Sequence, residues 1–191
     1  METITLDLNP IFQLTDEQFF QLCQHHRDYR FERTELGEII IMTPTGGETG
    51  TRNSDFNYQL QSWNRKTKLG IVFDSSTGFK LPNGANRSPD LSWIPQHRWD
   101  ALTAEQRQKF LPLCPDFVLE LRSPSDSLKT LQNKMVEYIE NGTKLGWLID
   151  PKNRRVEIYR PNQDVEILDV PTMLSGEDIL PEFILELTTI W

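Results

Sequence analysis

Carboxylates at the ends of strands are the residues of this 191-residue chain best suited to chemistry. Two Pro-Asp dipeptides occur, Pro89-Asp90 and Pro115-Asp116. Proline fixes φ and disfavours helix in the residue before it, so each dipeptide marks the start of a strand with a rigidly placed acid. A third acid, Glu120, interrupts the apolar run of "FVLELRSPSD" (residues 117–126), and Arg122 follows two positions later. Thirty positions separate Asp90 from Glu120. Two successive strands joined by an excursion would set these acids side by side at one sheet edge. Neighbouring carboxylates repel, and are tolerated mainly where a cation or a shared proton compensates. A hard divalent cation such as Mg2+ (or Mn2+), held by one or two carboxylates and several waters, is the natural partner. Its chemistry would be to activate water and to stabilise charge on a phosphoryl oxygen. Two plainer readings stand beside this one. Asp90 would cap a turn, and Glu120 would pair with Arg122, since residues i and i+2 of a strand share a face.

The elements that must position these acids follow from periodicity. "LTDEQFFQLCQHHRDY" opens with Thr15 and Gln18 in capping-box spacing and predicts a first helix. "FERTELGEIIIMTP" predicts a β-hairpin turned at Gly37 and closed by Pro44. In "GGETGTRNSDFNYQLQSWNRKTKLG", Phe56, Leu60 and Trp63 recur at i, i+4, i+7. A basic last turn of Arg65, Lys66 and Lys68 before Gly70 marks the end of that helix. Its start, with Arg52, reads either as a phosphate-binding terminus or as a solvated loop. "IVFDSSTGFKLPNGANRSPDLSWI" predicts three short strands around "STG" and "NGAN" turns, and "TAEQRQKF" a short helix. After the "FVLEL" strand, Leu128, Leu131, Met135, Tyr138 and Ile139 form one apolar stripe, with Ser125 or Asp126 capping its start and Gly142 its end. "LGWLID" and "VEIYRP" form a strand pair around a "PKNRR" turn, and the stretch from Val165 to Leu187 is mostly extended. No repeat, low-complexity linker or second core is visible. The expectation is a single α/β (α+β) domain over residues 1–191, with a central mixed β-sheet flanked by helices.

Composition bounds the function. Apolar content of 37%, with 10% aromatics and five tryptophans, fits a globular protein and argues against disorder. No apolar run approaches the roughly 18 residues of a membrane span, and the N-terminus lacks the pattern of a secretory signal, so a cytoplasmic protein with no membrane partner is expected. Cys23 and Cys114 have no metal-type spacing and read as reduced core residues. His25, His26 and His97 lack ligand spacing, and no Ser-His-Asp set, phosphate-binding glycine loop or Cys/His zinc pattern is present. A formal charge of −8 argues against gripping nucleic acid by bulk attraction. It leaves open an enzyme that gathers carboxylates around a divalent cation, because the metal reverses the local sign.

The stretches "RSPDLSW", "CPDFVLELRSPSDSLKTLQNKMVEYIENGTKLGWLIDP" and "VEIYRP" resemble the Uma-type (DUF820-like) restriction endonuclease-like group of the PD-(D/E)xK nuclease superfamily. The likeness runs from about Glu32 to Leu187. It implies a restriction endonuclease-like fold with its catalytic core at about residues 30–160, and a divalent-metal-dependent DNA endonuclease that hydrolyses phosphodiester bonds. By this resemblance Asp90 stands at the Pro-Asp acid and Glu120 at the second acid, both as metal ligands. The superfamily places a lysine two residues after that acid, where this chain has Arg122. Arginine stays protonated, so it can hold a phosphate or transition-state charge but is a poor proton acceptor. Lys134, on the following helix, is the candidate for a relocated lysine. At about 100° per residue it lies about 90° from the centre of the apolar stripe, near enough to lean toward the sheet end. Gln132 is the other polar option there, and an ordinary exposed helix lysine is the alternative. Glu35 is expected as a further acid from the hairpin, with Glu38 and Glu48 competing for the role. Enzymes of this fold often pair to cut two strands, which implies a homodimer. The missing lysine and the acidic surface favour a second reading, a non-catalytic nucleic-acid- or protein-binding member that keeps the nuclease fold. An RNA or nucleotide hydrolase with the same metal site is a third.

Overall fold

In the computed structural model, which describes residues 3–191, strand β1 (Thr3–Leu6) precedes helix α1 (Asp16–His25). Thr15 and Gln18 exchange both bonds of a capping box at its start, satisfying N–H groups that a helix terminus otherwise leaves open. The hairpin is β2 (Arg30–Arg33) and β3 (Ile39–Met42), with Arg33 opposite Ile39. Helix α2 (Gly47–Thr67) buries Phe56, Leu60 and Trp63 on one face. It stops before Gly70: Lys68 adopts a left-handed φ of 55° and its N–H bonds to the Asn64 carbonyl. Gly70 instead opens β4 (Gly70–Asp74), where a Cβ would lie 2.0 Å from the Ile94 carbonyl oxygen. Close backbone approach, not a turn, demands glycine there.

Four short strands, not three, occupy the next stretch, because β4 is followed by β5 (Phe79–Lys80), β6 (Asn86–Arg87) and β7 (Leu91–Pro95). Between β6 and β7 the chain crosses from one sheet to another, and Pro89, lacking an N–H, suits that break in pairing. Helices α3 (Gln96–Asp100) and α4 (Ala104–Gln108) follow, the second capped by Thr103 and Gln106. Strand β8 (Phe117–Leu121) is buried at every position. Helix α5 (Leu128–Glu140) is capped by Ser127, whose hydroxyl accepts the Thr130 N–H. The caps expected at Ser125 or Asp126 lie one or two residues too early; the Asp126 carboxylate accepts the Ser123 N–H and closes the turn before the helix. Gly142, at φ +111°, follows the helix end. Strands β9 (Leu145–Asp150) and β10 (Arg155–Tyr159) pair across the basic turn, and β11 (Glu166–Asp169), β12 (Met173–Ser175) and β13 (Ile184–Glu186) complete the chain.

Six strands form a mixed sheet in the order β11-β10-β9-β8-β7-β4, and a smaller sheet runs β1-β3-β2-β6-β5. Strands β8 and β9 pair in parallel, and α5 supplies the crossover that parallel neighbours require. The six-stranded sheet is covered on both faces. On one, Phe117, Leu119 and Leu121 pack with α2 and with Leu185, Leu187 and Ile190. On the other, Val118 and Leu148 pack with Met135 and Tyr138 of α5. Burial on two faces is why β8 reads as a continuous apolar run. The mixed sheet between helices is the architecture the sequence predicts. Cys114 is buried, Cys23 is half-buried, and both are free thiols. No helix among the described residues is long and apolar enough to cross a membrane.

Candidate active site

Strands β7 and β8 pair antiparallel with Leu91 opposite Leu119 and Ser92 opposite Val118. One step further in this register, Asp90 falls opposite Glu120. Residues so placed project from the same face of a sheet, here the face that α5 covers. The Leu121 N–H donates to Asp90 Oδ2 at 2.9 Å, which fixes the aspartate against the end of β8. Asp90 and Glu120 open into one cleft of about 750 Å3, shared with Glu32 and Lys134.

Lys134 and Tyr138 stand one turn apart on α5, and both reach Glu120. Lys134 Nζ lies 2.9 Å from Glu120 Oε1, and the Tyr138 hydroxyl donates to the same oxygen at 3.0 Å. Nζ also lies 2.9 Å from Glu32 Oε1, which accepts the Ser88 N–H at 2.9 Å as well. The second Glu32 oxygen meets Arg87 Nη1 at 3.2 Å, and Arg87 Nε donates to Glu137 at 2.6 Å. Charge therefore alternates along a buried chain, Glu120–Lys134–Glu32–Arg87–Glu137. It joins β2 and β6 of the smaller sheet to β8 and α5 of the larger.

Burial and charge divide the acids of this chain into two kinds. Burial raises Glu32, but Lys134 and Arg87 outweigh it and hold that carboxyl below its usual range. Glu120 is pushed up to about 7, chiefly by burial; Lys134 opposes the rise, while Asp90 and Glu32 add repulsion. Asp90 is raised too, by burial first, against the opposing Leu121 N–H. Burial alone would lower Lys134; Glu120 and Glu32 reverse this and keep its ammonium charged.

Of the residues singled out in the sequence, the structure brings together Asp90, Glu120 and Lys134, leaves Glu35 and Glu38 on the lining of the same cleft without contact to that cluster, and turns the others elsewhere. Arg122, expected beside Glu120 in a shared polar site, follows the end of β8 and turns to β9. Its Nη1 bonds Asp150 Oδ2 at 2.7 Å and its Nε donates to the Asp126 carbonyl. Gln132 is also turned away, donating to Glu157 on β10 at 2.8 Å. Glu35 lies on the cleft rim and accepts from Asn83 at 3.2 Å. Glu38 accepts from the Thr34 hydroxyl, and Glu48 is exposed on the first turn of α2, 3.6 Å from Arg52. Arg52 donates through Nε to the Ile190 carbonyl, tying the first turns of α2 to the C-terminal segment. The acid of the other Pro-Asp pair, Asp116, is buried and bonded to Arg98 and Lys144, a structural arrangement. Glu32 is the hairpin acid that reaches the cluster. Its signal in the sequence was a carboxylate in mid-strand rather than in the turn, two residues from Arg30 on the same face.

The cluster fits a divalent cation by its donors and its charge. Glu32, Asp90, Glu120 and Glu137 face Arg87 and Lys134, an excess of two negative charges when all are ionised. Arg30 and Asp126 act on Asp90 with opposite sign. Asp90 Oδ1 has only a long 3.4 Å contact with Asn53, and Glu120 Oε2 has no hydrogen-bond partner among the described residues. Each acid thus presents one uncommitted oxygen, the donor that a hard cation prefers. Among the described residues no three carboxylate, histidine or cysteine side chains converge on one point, so an ion here would keep several waters.

A mixed sheet with helices on both faces, carrying paired acids and a lysine at one strand end, defines a nuclease-like fold. The chain belongs to the Uma2 family, described as "Putative restriction endonuclease", whose sequence model matches residues 16–188. Among solved structures, it is similar to a "putative nuclease belonging to DUF820" from Anabaena variabilis, with 21% identity and a TM-score of 0.77. That match covers 93% of this chain and 97% of the other, and is a likeness of fold. No curated protein matches the chain.

Proposed function

We propose that the protein is a divalent-metal-dependent endonuclease that hydrolyses phosphodiester bonds in DNA. The observation that carries this reading is the convergence of Asp90, Glu120 and Lys134 on one cleft at the end of the β7–β8 pair. Asp90 and Glu120 would hold Mg2+ or Mn2+ through their uncommitted oxygens. When bound, the ion would lower the pKa of a coordinated water and neutralise charge on the phosphoryl oxygens. The chain's own groups do the rest. The Leu121 N–H and the Tyr138 hydroxyl orient the two carboxylates. Lys134, kept as an ammonium by its two glutamates, offers a fixed positive charge and N–H donors to a scissile phosphate; proton removal is not its role in that state. Glu32 and Arg87 position Lys134 without reaching the reacting atoms. Arg122, committed to Asp150, takes no part. A homodimer, with one cleft for each strand, is the assembly this reading expects.

Nicking of supercoiled plasmid in Mg2+ or Mn2+ tests it. The wild type is expected to convert plasmid to open circles, and Asp90→Asn and Glu120→Gln to lose about a hundredfold or more of that rate. Equal rates in all three proteins would discard the reading. One observation favours a non-catalytic member instead: Lys134 already bridges Glu32 and Glu120, as a structural ion network would. That alternative predicts no nicking and no response to metal.

A further inference from the structure

Asp90 lies in the wall between two clefts, and their linings differ. The larger carries Glu35, Glu38, Glu137 and Glu140 around the buried cluster, so its mouth repels a polyanion. Its buried cations, Arg87 and Lys134, are offset by the glutamates they bridge, which leave Lys134 one N–H for the reacting phosphate, and Arg30 bonds the Ser75 carbonyl. The second cleft, of about 590 Å3, runs along the solvent face of α2. Asn53, Asn57, Tyr58, Gln61 and Arg65 line it at helical spacing. The acids there are Asp90 itself and Asp74, which accepts hydrogen bonds from Ser76 in its own turn. Arg65 is exposed and has no ion-pair partner among the described residues, and Tyr58 is 70% exposed with no ring contact among them.

We propose that this face of α2 is a track for single-stranded nucleic acid, leading a strand to Asp90. The proposal rests on the phosphodiesterase reading and names the side from which substrate arrives. Tyr58 supplies a stacking platform for one base, which single-stranded binders use without sequence preference. Asn57 and Gln61 offer amide donors and acceptors to base edges, and Arg65 meets a phosphate. Asn53, within 3.4 Å of Asp90 Oδ1, ends the track at the site, and its own Oδ1 is buried without a hydrogen-bond partner. From Asn53 to Arg65 the helix spans about 18 Å, room for several nucleotides. Stacking on Tyr58 needs a base whose face is free, which a closed duplex does not offer.

Fluorescence anisotropy with a labelled single strand and with its duplex, in chelator at low salt, tests the track. The wild type is expected to prefer the single strand. Tyr58→Ala and Arg65→Ala should each weaken that binding about tenfold, while Lys152→Ala, which lines neither cleft, leaves it unchanged. Both test positions are exposed, so circular dichroism and melting should match the wild type. Duplex preference, no oligonucleotide binding by the wild type, or binding indifferent to Tyr58 and Arg65 would each overturn the proposal. The two readings fail separately. Tyr58-dependent binding without metal-dependent cleavage of plasmid or of the single strand discards the enzyme and leaves the track, whereas single-strand cleavage unaffected by Tyr58→Ala and Arg65→Ala discards the track and leaves the enzyme.

Discussion

Glu120 is a carboxylate on a strand covered from both sides, and its surroundings only half compensate its charge. Ionised, it faces one ammonium that it shares with Glu32, and it repels Asp90 across the strand pair. Its pKa of about 7 in the fold, above the ordinary 4.5, means that folding favours the protonated form. That contribution to stability is complete below about pH 4.5 and is lost as pH rises through 7. In chelator, the wild type should therefore melt progressively lower than Glu120→Gln from pH 5 to 8; parallel curves would refute the burial argument. With metal present the proton becomes a competitor. Mn2+ affinity, followed by calorimetry, should be about tenfold weaker at pH 6 than at pH 8 if Glu120 is a ligand.

At the scale of elements, two glycines predict opposite outcomes for the same substitution. Gly70 opens β4 with no room for a Cβ beside the Ile94 carbonyl and the Trp93 ring. Gly70→Ala should cost roughly 1–3 kcal/mol or more, since backbone must shift. Gly50 lies inside α2 with nothing near its absent Cβ, and Gly50→Ala should stabilise by about 0.5–1 kcal/mol, because glycine loses more freedom in a helix. Urea unfolding of the two variants measures both signs. The same packing explains where α2 stops. A chain that must bring Gly70 against β7 turns at Lys68, so the left-handed residue is a lysine and the glycine is kept for the contact.

At the scale of the whole molecule, the cleft lies where two sheets meet. The smaller sheet contributes Glu32 and Arg87, and the larger sheet with α5 contributes Asp90, Glu120 and Lys134. An ion that binds only this assembled arrangement must stabilise the native state by mass action. At a hundredfold excess over Kd, Mg2+ or Mn2+ should raise the melting midpoint of the wild type by about 5–10 °C. Asp90→Asn and Glu120→Gln should show little of that shift. A rise of equal size in all three proteins would place the binding elsewhere.

Much of the architecture was legible in the chain because it is local. The capping box at Thr15, the i, i+4, i+7 set on α2, the stripe on α5 and the apolar run of β8 each express a periodicity or terminus contained within a few turns. Asp90 and Glu120 were legible as acids at strand ends for the same reason. That they would stand side by side was expected from the two strands, but the β7–β8 register that sets them opposite each other was not legible, and neither was Glu32, whose importance lies in what faces it from 88 to 134. Arg122 illustrates the limit most plainly. Its strand parity with Glu120 suggested a shared site, but parity ends with the strand, and Asp150 on the neighbouring strand captured the guanidinium. By itself the sequence determined most of the helices and strands, though neither β1 nor α3, and which acids stand at their ends, because those follow from short-range sterics and solvation. Only the tertiary structure decided which charges meet, because the energy of a buried charge depends on partners supplied by distant parts of the chain.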